Sequence, residues 1–175
     1  MNRILFSCIA LVIMFLSCKH TEFEDIDKQA IKDRAIIQQY LSDHQLTADT
    51  TSEGLFYIIH EPGTGITRPD RFSTIKVFYS AYFPNQHKFD STTTTPRTFQ
   101  LSKSLKGWQI GVPLMKKGGK ATLLVPSRLG YGTTGYTTKV YDTIDNQVTS
   151  HDTTIIPSNA VLIFDIELLS FTTLK

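Results

Sequence analysis

The sequence predicts an α+β fold: an antiparallel β-sheet with one short α-helix against a face, preceded by an N-terminal amphipathic helix. Runs rich in β-branched and aromatic residues, IKVFYSAYF (75–83), ATLLVPS (121–127) and AVLIFDIELLSF (160–171), mark strands. Between them, SLKGWQIGVPLM offers one short helix that Pro113 limits. Ahead of them, residues 25 to about 44 carry apolar side chains at helical spacing with no Gly or Pro. Many strands with one brief helix give an antiparallel α+β sheet with that helix covering one face.

Size and charge narrow the alternatives. The chain has 175 residues, 41% hydrophobic and 19% charged, enough for one main globular domain and too few for a second full core. Its formal charge of +2 leaves no basic field to argue for nucleic acid or an anionic membrane surface.

Taken in order, MNRILFSCIALVIMFLSC places Arg3 ahead of an apolar run from Ile4 to Leu16. That pattern reads as an export signal, because the run is short of the ~20 residues a membrane-spanning helix needs. Phe15-Leu16-Ser17-Cys18 resembles a bacterial lipobox, with Phe15 an imperfect match to the usual aliphatic residue, so residues 1–17 are expected to be a lipoprotein signal peptide and Cys18 the lipidation site. The other cysteine, Cys8, lies inside the discarded segment, which leaves Cys18 without a disulfide partner. Several acyl chains at ~0.8 kcal/mol per buried methylene would hold the protein on a membrane. The expected location is the cell envelope, lipid-anchored, at the periplasmic or surface face of the outer membrane. KHTEFEDID then reads as a solvated tether, similar also to surface-export signals of some Bacteroidetes lipoproteins.

In the helix that follows, Ile26, Ala30, Ile31, Ala35, Ile36, Tyr40 and Leu41 form the expected apolar stripe. It is expected to pack on the next domain or to serve as a dimerisation arm. QLTADTTSEG supplies turn residues, and GLFYIIHEPGTG a short apolar strand closed by Pro62-Gly63. The expected organisation is a signal at 1–17, a tether and helix at 18–53, and one domain at 54–175.

The order of motifs resembles the FKBP-type peptidyl-prolyl cis-trans isomerases: a Tyr in VFYSA, Phe-Asp-Ser in KFDS, then KGWQIGVPLMKKGGKATLLVPSRLGYG, and IIPSNAVLIFDIELL. The resemblance covers about residues 54–171 and is specific, because the motifs recur in the family's order and near its spacing. It implies a sheet wrapped around the short helix, and rotation about the peptide bond before proline in exported polypeptides, assisting their folding. The uncatalysed barrier is ~18–20 kcal/mol because amide resonance must be broken. A dry apolar cavity suits the twisted amide, which has lost charge separation, so neither cofactor nor metal is needed.

Carried over by motif, the resemblance implies catalytic roles for Tyr79, Asp90, Tyr131 and Phe164, and substrate binding by Phe89, Phe99, Leu105, Trp108 and Ile156. Trp108 would form the floor under the prolyl ring, with Tyr79, Phe99 and Phe164 as walls. The Leu105 N–H and the Tyr131 hydroxyl would each bond a substrate carbonyl, and Asp90 the Tyr79 hydroxyl or the substrate's neighbourhood. The alternative is a chaperone or binding module that keeps the fold with little turnover.

Two departures stand out. Arg97, in PRTFQL, occupies a place where many members carry an aromatic, which bears on selectivity for the residue before proline. After GYGTTG, residues 136–154 intervene before Ile-Ile-Pro, compatible with a β-hairpin about Asp145-Asn146, read either as a recognition flap or as a tolerated surface insertion. His151 among Asp142, Asp145 and Asp152 lacks the convergent spacing of a metal site. The Thr run 92–95 and the lysines around Gly118-Gly119 read as solvated loop and turn.

Overall fold

The computed structural model describes residues 28–144 and 147–173. The expected signal segment, Cys18, the expected tether and Ile26 of the expected helix stripe lie outside the described residues. The chain divides into a unit of residues 1–32 and a unit of Asp33–Lys175. Of the first, only the helical turn 28–32 is described, with Ile31 69% exposed.

Helical backbone runs over 28–43 (α1). From Asp33 onward it buries Asp33 and Ile37 fully, with Tyr40 and Leu41 packed beside them, a row at i, i+4, i+7 and i+8. This corrects the expected stripe, since Ala35 and Ile36 face solvent. Ile36 and Ile37 are adjacent, so apolar spacing alone could not choose between rows. The choice is made by Asp33, whose carboxylate accepts from the Ser127 N–H at 2.8 Å and hydroxyl at 2.7 Å, pinning that face inward.

Among the described residues nine strands follow: β1 Asp49–Thr50, β2 Phe56–Glu61, β3 Thr74–Tyr82, β4 Lys88–Ser91, β5 Arg97–Gln100, β6 Lys120–Val125, β7 Tyr136–Ile144, β8 Gln147–Ile156 and β9 Leu162–Thr172. Seven form one antiparallel sheet in the order β1-β2-β6-β9-β3-β4, with β5 also on β3. β9 is central, pairing Phe164 with Ala81 of β3 and with Leu123 of β6. The strand reading of the sequence therefore holds, but the short pieces β1, β4 and β5, too brief to show a period, add to it.

Alternation along β3 buries Ile75, Val77, Tyr79 and Ala81 on one face of the sheet. There they meet Leu123, Phe164, Ile166 and the helix α2, Lys106–Gly111. The other face carries Phe56, Leu124 and Ile163 under Ile37 of α1. The sheet is thus a partition between two apolar clusters. Pro113 ends α2 as expected by falling in a 3₁₀ turn, Val112–Leu114. Gly107 lets α2 lie close, since a Cβ there would stand 2.7 Å from a Val125 methyl. Segment 136–156 forms a separate two-stranded sheet, β7 on β8.

Candidate functional site

The inner face of the sheet opens beside α2 into a hollow of about 540 Å³. Its aromatic frame is fixed by the short elements α2 and β5 and by the longer strands β3 and β9. Trp108 comes from α2, Tyr79 from β3, Phe99 from β5 and Phe164 from β9. The rings of Tyr79, Phe99 and Phe164 stand 5.3, 5.4 and 5.5 Å from the indole at 82°, 76° and 90°. Perpendicular rings meet the indole edge to face, the arrangement aromatic quadrupoles favour, and act as walls around it rather than a lid. Trp108 is 4% exposed, and that small area belongs to the hollow's lining. Its Nε1 is the one buried side-chain donor without a partner found among the described residues, so an unsatisfied polar cost is carried at this floor.

The sequence-predicted residues gather here with one exception. Tyr79, Phe89, Asp90, Phe99, Leu105, Trp108, Tyr131 and Phe164 all line the hollow. Ile156 does not, being buried in the core where β8 ends. Its backbone instead crowds the turn after Tyr131. Gly135 has φ +67° and sits so close to the Ile156 carbonyl that a Cβ would collide with it. The Gly135 N–H donates to the Tyr131 carbonyl at 3.2 Å, which sets the tyrosine's turn at the root of the β7–β8 hairpin. At that root Tyr131 and Tyr136 rings lie 5.7 Å apart. The hairpin's turn residues, Asp145 and Asn146, lie outside the described residues.

The polar rim is built around Tyr79. Its hydroxyl donates to Asp90 Oδ2 at 2.5 Å, and Arg97 Nη1 donates to that hydroxyl at 2.7 Å and to the two Asp90 oxygens at 3.1 and 3.3 Å. The guanidinium also stands 5.7 Å from the Tyr79 ring. Burial first, then the bond to Asp90, raises the Tyr79 phenol above its ordinary range, with Arg97 pulling weakly the other way. Burial likewise raises the Tyr131 phenol, with smaller contributions from Tyr136 and Asp90. Both hydroxyls are therefore donors throughout the neutral range.

The departure at Arg97 is thus a replacement rather than a loss: a cation that tethers Asp90 and Tyr79 stands where an aromatic was expected. Sequence reasoning did not find this tether, nor Thr92, whose hydroxyl accepts from the Tyr79 N–H at 2.8 Å and fastens the end of β4 to β3. Thr92 is therefore not merely solvated loop. It also missed Lys103 and Gln109. Lys103 lines the hollow, and the Gln109 amide donates to the Ser104 carbonyl at 2.8 Å, shaping the turn before α2. Leu105 caps α2 through its carbonyl, which accepts from the Trp108 and Gln109 N–H groups at 2.9 and 3.0 Å. Its own N–H meets no acceptor among the described residues, leaving a free donor at the hollow.

Comparison with known proteins agrees with this geometry. The family model "FKBP-type peptidyl-prolyl cis-trans isomerase" matches residues 65–169. The chain is 33% identical over 148 residues to the FKBP-type peptidyl-prolyl cis-trans isomerase FkpA of Aeromonas hydrophila, covering 82% of this chain and 48% of that one. It is 31% identical over 112 residues to FK506-binding protein 1 of Saccharomyces cerevisiae, covering 62% and 84% respectively. Among solved structures, FkpA from Escherichia coli aligns with TM-score 0.65 and 28% identity, over 94% of this chain and 70% of that one. The chain spans about half the length of the FkpA relatives it matches.

Proposed function

The chain belongs to the family of FKBP-type peptidyl-prolyl cis-trans isomerases, and from that premise we propose that it rotates Xaa-Pro peptide bonds in polypeptides outside the cytoplasm. The observation that carries this is the indole floor walled by three perpendicular rings, open to a hollow of about 540 Å³. A pyrrolidine ring fits such a site by burying its apolar face, while the amide next to it leaves water. In water the planar amide is favoured by its charge separation. In a dry aromatic site that advantage shrinks, and the twisted amide is reached at lower cost.

The free N–H of Leu105 and the hydroxyl of Tyr131 take the substrate carbonyls on either side of the rotating bond. The Leu105 N–H is set by the backbone that opens α2, so little reorganisation is needed there at the transition state. Tyr79 and Asp90 spend their polar groups on each other and on Arg97. Their role is to hold the Tyr79 wall in place and to present a satisfied polar edge to the peptide. No nucleophile takes part.

The location follows the sequence: Cys18 carries the lipid and the tether leads to the domain, so the isomerase works from a membrane surface on newly exported chains. Two-dimensional NMR exchange on Ala-Leu-Pro-Phe tests the activity, with cross-peaks between cis and trans growing in proportion to the amount of the full chain added. Binding of the peptide without faster exchange would instead favour a chaperone that grips chains and does not turn them over.

A further inference from the structure

The rim charges of the hollow are unequal. One carboxylate, Asp90, faces two cations, Arg97 and Lys103. Asp90 is already engaged by Tyr79 and by Arg97 Nη1, and among the described residues Arg97 bonds through that one nitrogen. A guanidinium has five N–H donors in a planar fork, so those on Nε and Nη2 meet no acceptor among the described residues. The Arg97 side chain is 53% exposed, which keeps that fork within reach of a ligand. Lys103, in the turn Leu101–Lys103 that leads into α2, is exposed and has no ion-pair partner among the described residues. The mouth of an otherwise aromatic hollow therefore offers a spare guanidinium fork and an ammonium.

From this we infer that the site selects prolines with a glutamate or aspartate beside them, the acidic side chain being held at the mouth by Arg97 and Lys103. This rests on the isomerase reading and adds a substrate class to it. Carboxylates match the guanidinium fork in geometry as well as charge, whereas a lysine beside the proline meets two like charges. Because the mouth is open to water, the preference is moderate and salt-sensitive.

The test compares Ala-Glu-Pro-Phe, Ala-Gln-Pro-Phe and Ala-Lys-Pro-Phe with the full chain, measuring exchange by NMR and affinity by titration. At low salt the Glu peptide should exceed the Lys peptide by roughly 3- to 10-fold in kcat/KM, with Gln between, as two exposed charge contacts allow. The ratio should shrink toward unity at high salt. K103Q should lower it, and K103E should lower it further or invert it. Equal acceleration of all three peptides would overturn the inference and leave the isomerase reading standing. If none is accelerated, that reading fails, and the affinities decide alone: tighter binding of the Glu peptide supports the charge selection and equal binding overturns it.

Discussion

Removing the Phe164 ring probes whether the hollow both stabilises the fold and carries the activity. Phe164 lies on the central strand between β3 and β6, 4% exposed, with edge contacts to Trp108 at 5.5 Å and Phe89 at 6.2 Å. Replacing a buried Phe by Ala costs about 3–5 kcal/mol. One side of this ring already borders open space and loses no packing there, so F164A belongs at the low end, about 3 kcal/mol. Two edge-to-face contacts at ~0.5–1.5 kcal/mol each account for a good part of that loss. A domain of ordinary stability, about 5–15 kcal/mol, stays folded after it, so activity remains measurable. Urea unfolding followed by circular dichroism reads the stability, and NMR exchange on Ala-Leu-Pro-Phe reads the activity. The wall's loss admits water over the indole, and kcat/KM should fall at least about tenfold, which corresponds to about 1.4 kcal/mol. F164L, which keeps most of the volume, should fall between. A variant destabilised by about 3 kcal/mol that isomerises as fast as the unmodified chain would refute the placement of the reaction in this hollow.

Other consequences are equally open to measurement. D33A leaves the Ser127 N–H and hydroxyl buried without their acceptor, and should cost about 2–6 kcal/mol in urea unfolding at ~1–3 per orphaned group; S127A, which leaves Asp33 Oδ2 its bond from the Ser127 N–H, should cost less. The raised phenols of Tyr40, Tyr79 and Tyr131 make the folded state hold protons that the unfolded chain has released above pH ~10. Stability contributed this way is present below pH ~10 and is lost as pH rises toward the folded-state values, and Y79F should flatten that decline in alkaline urea titrations. C18S should move the protein from the membrane fraction to the soluble fraction, and continued retention in membranes would contradict lipid attachment at that cysteine.

The parts of this molecule that show in its sequence are those set by period and by local chemistry. Strands β3, β6 and β9 announce themselves through β-branched and aromatic runs long enough to show alternation, and Pro113 marks the end of α2. Most of the hollow's lining was legible because its residues sit in distinctive motifs. What stayed hidden depends on contacts between residues far apart in the chain. Asp33 looks like a surface charge on a helix until Ser127, 94 positions away, is seen beneath it. That one contact decides whether Ile36 or Ile37 faces the sheet. Arg97 looked like a gap in an aromatic wall because nothing local reveals that its head returns to Tyr79 and Asp90. Ile156 belongs to a motif that borders the hollow, but its side chain goes into the core at the hairpin's root.

The most direct test of the account uses Trp108, the single tryptophan of the chain. Intermolecular nuclear Overhauser effects between the ring protons of a bound proline and the indole protons can be assigned without ambiguity. The account predicts such contacts with a saturating Ala-Leu-Pro-Phe peptide, together with ring-current shifts of the proline Cγ protons. A peptide that is isomerised with no Overhauser contact to the indole would place the reaction elsewhere on the molecule.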